Sequence, residues 1–144
     1  MSVDLPPIHD LVPHAPPILA VEEVVTWEPG LATCSMVVRE GSPMVRDGRV
    51  AAVAAIEYLG QAVAACCGAE AYVGGEGVRY GVIIGCRKVT LARKWLPVGT
   101  ELTLDVKRSR GNEMLSHFSC EARDSDGQVA TATMTVYHAT EMPD

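Results

Sequence analysis

The stretch from Val50 to Ala69 limits what this chain can fold into more than any other part of it. It reads Val-Ala-Ala-Val-Ala-Ala-Ile-Glu-Tyr-Leu-Gly-Gln-Ala-Val-Ala-Ala-Cys-Cys-Gly-Ala. Ala, Leu, Gln and Glu favour helix, no proline interrupts the run, and Gly68 stands where a helix can stop. A helix is predicted over residues 50–69. Its apolar residues fall on nearly all sides, which places it inside other elements rather than on a surface. Only Glu57, Tyr58 and Gln61 bring polar side-chain groups into it. A buried carboxylate is costly, so Glu57 must be neutralised, paired, or set at the mouth of a wet pocket. Glu57 is therefore the first candidate for chemistry.

At 144 residues and 48% hydrophobic content the chain suits one domain, residues 1–144, with a real core. Glu57, Gln61 and weakly hydrophobic alanines make its longest apolar run a poor membrane span, so a soluble protein is expected. The start, Met-Ser-Val-Asp-Leu-Pro-Pro, lacks the charged-then-apolar layout of a secretory signal, which points to the cytoplasm. Cys34, Cys66, Cys67, Cys86 and Cys120 are odd in number, scattered and without metal-ligand spacing. They read as reduced packing residues, with no metal site.

A net charge of −6 argues against a nucleic-acid partner. The sign is uneven, however: residues 79–110 hold Arg79, Arg87, Lys88, Arg93, Lys94, Lys107, Arg108 and Arg110 against Glu101 and Asp105, a local balance of +6 (eight less two). Such a segment suits an anionic partner of modest size, or equally a solvated strand edge whose cations discourage aggregation.

Residues 5–17 are proline-rich and predict a short turn at Ile8–Val12 followed by an extended path. Strands are predicted over 18–27 and 31–39 around Glu28-Pro29-Gly30, then a loop over 40–49 that delivers the chain to the helix. After a glycine-rich connection over 72–78, strands are predicted over 80–91, 100–110, 113–124 and 128–137. Leu102, Leu104 and Val106 share one face of theirs, and Gly111-Asn112 and Ser125-Asp126-Gly127 turn the last three into an antiparallel meander. Leu96-Pro97-Val98-Gly99 is a turn before them. Two strands, one buried helix and four strands make an α+β fold: a curved antiparallel sheet of about six strands wrapped around one long central helix.

Four motifs in order carry a family resemblance: Leu11-Val12-Pro13-His14-Ala15-Pro16-Pro17-Ile18-Leu19 with Glu22, Ile56-Glu57-Tyr58-Leu59-Gly60-Gln61-Ala62, Gly81-Val82-Ile83-Ile84-Gly85-Cys86-Arg87, and Pro97-Val98-Gly99-Thr100. Over almost its whole length the chain resembles the hot-dog 3-hydroxyacyl-acyl carrier protein dehydratases, most closely the branch associated with aryl-polyene and related lipid clusters. The resemblance implies the hot-dog fold and a site at a dimer interface, where a helix carboxylate faces a histidine across an acyl tunnel. The helix Glu of the family falls on Glu57 and the following Gln on Gln61. The histidine of the fatty-acid enzymes, fourteen residues ahead of that Glu, falls on Pro43, and no histidine occurs between His14 and His117.

Two readings follow. In the first, His14 supplies the imidazole, as the Pro-His motif of the branch suggests. The protein then dehydrates a 3-hydroxyacyl thioester to the trans-2-enoyl thioester, with His14 as base and Glu57 as acid, or the reverse. Apolar walls would keep Glu57 protonated for that role. Gln61 and the helix start around Ala51, Val53 and Ala54 would hold the substrate, unpaired backbone N–H groups polarising the thioester carbonyl. In the second reading the site lacks its base, and the protein is a silent acyl-binding or partner subunit. A hot-dog acyl thioesterase is the enzyme alternative. Structural roles compete as well: His14 as an anchor of the N-terminal segment, Glu57 as an ion-pair partner, and His9, His117 and His138 as structural residues.

The resemblance also implies partners. The acyl chain would arrive on phosphopantetheine, borne by an acidic acyl carrier protein or coenzyme A, docked by Arg87, Lys88, Arg93 and Lys94, with no other cofactor. A homodimer or higher homo-oligomer is expected, with a heterodimer with a catalytic paralogue as the variant.

Overall fold

The computed structural model describes residues 4–75, 80–111 and 115–139. A 3₁₀ turn, Ile8–Asp10, precedes β1 (Glu23–Glu28) and β2 (Leu31–Val37), then β3 (Arg49–Ala51) and the α-helix α1 (Ala54–Val73). Behind it come β4 (Tyr80–Leu91), β5 (Trp95–Pro97), β6 (Glu101–Gly111), β7 (Leu115–Asp124) and β8 (Gly127–Ala139). Six strands form one antiparallel sheet in the order β1-β2-β6-β7-β8-β4, and β3 pairs with β5 apart from it. The meander β6-β7-β8 is as predicted, and β4 returns to the edge beside β8.

Alternation makes one face of this sheet the core wall. Ala32, Cys34 and Met36 of β2, Leu102, Leu104 and Val106 of β6, Phe118, Cys120 and Ala122 of β7, and Ala130, Ala132, Met134 and Val136 of β8 are all buried. They close around α1, whose Ala55, Tyr58, Leu59, Ala62, Val63, Ala65, Cys66 and Ala69 are buried with them. Alanines along the helix let the curved sheet approach closely. Among the described residues no helix is long and apolar enough to cross a membrane.

Tertiary contacts move several predicted boundaries. The helix starts at Ala54 rather than Val50, because Arg49, Val50 and Ala51 are drawn into pairing with Pro97, Leu96 and Trp95. The predicted turn at Leu96–Gly99 therefore begins as strand. Gly68 does not stop the helix, which runs on to Val73 and takes in the start of the predicted connection. A Cβ at Gly68 would lie 1.8 Å from the Leu11 carbonyl oxygen, so this glycine marks a backbone contact rather than an end. The first strand is shorter than predicted, since Ile18 to Val21 is tied to the helix by a side chain instead of to the sheet. Residues 76–79 of the connection and Asn112 of one predicted turn lie outside the described residues.

Candidate functional site

Gln61 organises the front of α1. It is fully buried, and its Oε1 accepts from the N–H groups of Ala20 at 2.8 Å and Val21 at 3.2 Å. Its Nε2 donates to Ile18 O at 2.9 Å and to Glu57 Oε1 at 3.2 Å, one turn back on the same helix. Two acceptor and two donor positions are thereby all used. The backbone partners also fix which end of the amide is oxygen. Expected to touch substrate, Gln61 instead stands behind the site, holding the Glu57 carboxylate and the segment that follows His14.

His14 is fastened on both sides. Before it, Leu11 and Val12 are buried, with the Leu11 carbonyl seated against Gly68. After it, Ile18 N–H and Leu19 N–H bond to Ala15 O at 2.9 and 3.0 Å, and Gln61 takes the next residues. The ring is half-buried, and its Nδ1 is sealed from solvent with no hydrogen-bond partner among the described residues. His14, Glu57, Gly60, Val63, Ala64, Cys67, Ile83 and Val136 line one cavity of about 50 Å³. The two proposed catalytic residues therefore border one cavity within a single chain, with room for a water.

On its other side Glu57 borders an open groove of about 410 Å³, lined also by Pro43, Met44, Arg46, Ala51, Val53 and Ala54. The three predicted helix-start residues do line it. Ala52 N–H is taken by Lys94 O, and the Ala55 and Ile56 N–H groups bond back to Ala52 O and Val53 O, each at 3.0 Å. Among the described residues, the donors the first turn leaves for an outside acceptor are those of Val53 and Ala54. Pro43, where the fatty-acid enzymes carry histidine, faces the same groove.

The predicted burial of Glu57 is corrected: its side chain is exposed, because the sheet does not cover this end of the helix, where Val53 is 58% exposed. Apolar walls around the carboxylate are thus not supplied by this chain alone. Met44 and Arg46 in the groove, and Cys67, Ile83 and Val136 in the cavity, were not assigned to a site from the sequence, although Cys67 was read as a packing residue and Ile83 falls in one of the family motifs. They come from four separate segments, and only the fold collects them.

The basic segment is also less free than its charge count implies. Arg93 is held by Asp124 at 2.8 Å and Gln128 O at 2.9 Å, so this docking candidate has a structural partner. Arg108 turns inward to Glu70. Arg87, Lys88 and Lys94 are exposed. Burial pushes the Cys34 and Cys120 thiols up to about 12 and raises Cys66 as well, which keeps them neutral packing groups. Cys86 is exposed on β4. His9 is an exposed neighbour of Asp10 at 3.4 Å, and His117 Nδ1 shares a hydrogen bond of 2.9 Å with Thr135. The side chain of His138 lies outside the described residues. No group of three His, Cys, Asp or Glu among the described residues is placed to hold a metal ion.

Comparison with solved structures places this architecture. The dehydratase heterocomplex ApeI:P from Xenorhabdus doucetiae matches with a TM-score of 0.89 at 21% identity, over 94% of this chain and 93% of that one. The E. coli PaaI protein from the phenylacetic acid degradation operon gives a TM-score of 0.63 at 14% identity, over 81% of this chain and 78% of that one. A hypothetical thioesterase protein with coenzyme A from Streptococcus pneumoniae gives 0.61 at 15% identity, over 84% and 88%. These likenesses establish the hot-dog fold. A search among curated proteins finds no sequence match. The model of the ApeP dehydratase family matches residues 6–144, and the chain belongs to that ApeP-like family.

Proposed function

We propose that the dehydratase activity of the family is carried here by His14 and Glu57, acting on a 3-hydroxyacyl thioester. The observation that supports this is the shared cavity: an imidazole whose Nδ1 lacks a partner among the described residues and a carboxylate held by Gln61 line the same small space. With His14 as base, the C2 proton passes to the imidazole. Electrons move to form the C2–C3 double bond, and the C3 hydroxyl leaves as water with a proton from Glu57. The Val53 and Ala54 N–H groups would hold the charge that builds on the thioester oxygen. Transfer of the proton from His14 back to Glu57, directly or through water, restores the starting state. The reverse assignment uses the same two groups.

The substrate in this reading rides on phosphopantetheine, from an acyl carrier protein or coenzyme A, and no metal or further cofactor takes part. The setting is the cytoplasm, where the five thiols stay reduced. A partner subunit, a second copy or a paralogue as in the ApeI:P heterocomplex, would lie along edge strand β4 and close the open side of the site. Ile83 and Ile84 are 43% and 60% exposed there.

One assay tests the reading. The purified protein, alone and with a paralogous subunit, is given 3-hydroxyacyl and saturated acyl thioesters, and products are followed by mass spectrometry. Loss of water that depends on Glu57 and His14 is the expected result. Free acid from the saturated thioester would establish the thioesterase instead. A paralogue whose activity is indifferent to Glu57→Gln in this chain would leave the silent-subunit reading, for which Pro43 in the place of the usual histidine is the supporting observation.

A further inference from the structure

The outer face of the sheet, turned away from α1, is divided by charge. Near the β7–β8 turn it neutralises itself: Asp105 accepts from Thr33 Oγ1 at 2.7 Å and pairs with Arg123, which also reaches Glu121 at 3.3 Å. Gln128 Nε2 donates to Glu121 at 2.9 Å. The other half is different. Register sets Arg87 of β4 opposite Thr133 of β8, Thr133 opposite Ser119 of β7, and Ser119 opposite Lys107 of β6. In the next row Arg110 stands opposite His117 and His117 opposite Thr135. A bulge after Arg108 brings this about: Arg108 points into the core, whereas Arg110, past the bulge, shares the outer face with His117.

Three exposed cations, Arg87, Lys107 and Arg110, thus surround a floor of hydroxyls and one imidazole. None of the three has an ion-pair partner among the described residues. The acid nearest along the first row is Glu28, two strands beyond Lys107 with Leu31 between, or about 10 Å at the usual strand spacing. Unpaired positive charge gathered on a protein of net charge −6 is an attractive field for one kind of surface. Packed against its own copy, the patch would set cations against cations. Matched to carboxylates, it would gain charge-assisted hydrogen bonds from the arginines and neutral ones from Ser119 and Thr133.

We infer that this patch, Arg87, Lys107 and Arg110 over Ser119, Thr133 and His117, docks an acidic protein surface, namely that of the carrier bringing the substrate. The inference rests on the reading that the substrate is carrier-borne. It shifts the docking surface from the Arg93–Lys94 corner to the middle of the sheet.

The test uses an acidic acyl carrier protein loaded with a 3-hydroxyacyl phosphopantetheine arm. Its binding to the wild type and to the Lys107→Glu/Arg110→Glu variant is measured by calorimetry at low and moderate salt, with melting curves as the folding check. The wild type should bind and weaken steeply with salt. The variant should bind at least tenfold more weakly, and its turnover of the carrier-borne substrate relative to the same acyl group on free pantetheine should fall as much. Lys107→Gln/Arg110→Gln should lie between them. Carrier binding that survives charge reversal overturns the docking surface and leaves the carrier reading intact. A wild type that never binds the carrier, yet turns over a coenzyme A thioester, overturns both.

Discussion

Two glutamates on one helix, about 20 Å apart along its axis, show how differently the same side chain can be held. Glu70, near the end of α1, is gripped through both oxygens by Arg108 at 2.6 and 2.9 Å. The guanidinium goes on to Ser116 Oγ at 3.0 Å and lies 5.1 Å over the Phe118 ring. Bonding to Glu70 raises the Arg108 pKa, and neither side chain is more than about a fifth exposed, at 18% and 21%. Glu57, in the first turn, has one hydrogen bond among the described residues, of 3.2 Å from Gln61 Nε2. No ion pair joins it to a cation among the described residues, although Arg46 lines the same groove. A carboxylate committed to an arginine on both oxygens is not free to move protons. One that borders the same cavity as an imidazole whose Nδ1 has no partner among the described residues keeps that freedom.

Neutralising each carboxylate in turn would break that contrast most directly. Glu57→Gln should cut turnover by about 10²–10⁴-fold, the usual worth of a positioned acid or base, and leave the melting temperature close to wild type. Glu70→Gln should do the opposite. Turnover per folded molecule stays within a few-fold, while stability drops by about 2 kcal/mol because a mostly buried guanidinium loses its counter-charge. Equal turnover in Glu57→Gln and wild type would remove Glu57 from the chemistry.

The two helix glycines extend the comparison from charge to packing. At Gly68 an added Cβ meets the Leu11 backbone oxygen at 1.8 Å and its carbonyl carbon at 2.8 Å, and backbone cannot swing away. At Gly60 it meets the tip of Ile83, Cδ1, at 2.8 Å, which can rotate aside. Gly68→Ala should therefore cost about 3 kcal/mol or more, read from urea unfolding, and displace the segment that carries His14. Gly60→Ala should fall within about 1 kcal/mol of wild type, since the helix propensity gained offsets the shift of Ile83. Similar losses at both sites would mean that the rear of the helix is no more tightly sealed than the front.

The sequence made some of this legible and hid the rest for physical reasons. Alternation exposed the later strands, because a residue's face in a sheet is fixed by its own chain. The alanine-rich run was readable as a central helix, but its ends were not: the start depends on Trp95–Pro97 and the continuation through Gly68 on Leu11. Motif order singled out His14 and Glu57, and the fold puts them on one cavity. Gln61 was drawn toward substrate because it stands where the family's Gln follows the helix Glu, and only the path of Ile18–Val21 shows what it bonds. Charge counting found the basic segment but could not see that Glu70 and Asp124, outside it, neutralise two of its arginines.

Gln61 is also the next place to press, because it joins the two sides of the site. Gln61→Glu keeps the shape and the two acceptances from Ala20 and Val21 but loses both donations. A carboxylate oxygen then faces Ile18 O and Glu57. A loss of about 2–3 kcal/mol is expected in chemical unfolding, with a fall in kcat that accompanies displacement of the His14 segment. Gln61→Met, which removes the polar demand but keeps the volume, should lose less stability than Gln61→Glu. The opposite order would mean that hydrogen bonding at Gln61 contributes little.

The smallest effect concerns a third glutamate, on the surface. Glu22 is paired with Arg39 through both oxygens, at 2.6 and 3.0 Å, in much the same fork as Glu70 with Arg108. The difference is water: the Arg39 side chain is 64% exposed. The hydrogen bond from Arg39 lowers the Glu22 pKa below its ordinary value of 4.5 despite partial burial. Below that value the unfolded chain takes up a proton that the folded chain resists. The pair's contribution is therefore complete above pH 4.5 and is lost as pH falls through the lowered value. Solvent and salt screening keep that contribution small. Arg39→Gln should accordingly lower stability slightly near neutral pH, not at all at strongly acid pH, and less still in high salt, by urea unfolding across a pH series. If it cost as much as Glu70→Gln, fork geometry alone would set the worth of these pairs, and burial would no longer explain why Glu70 is structural.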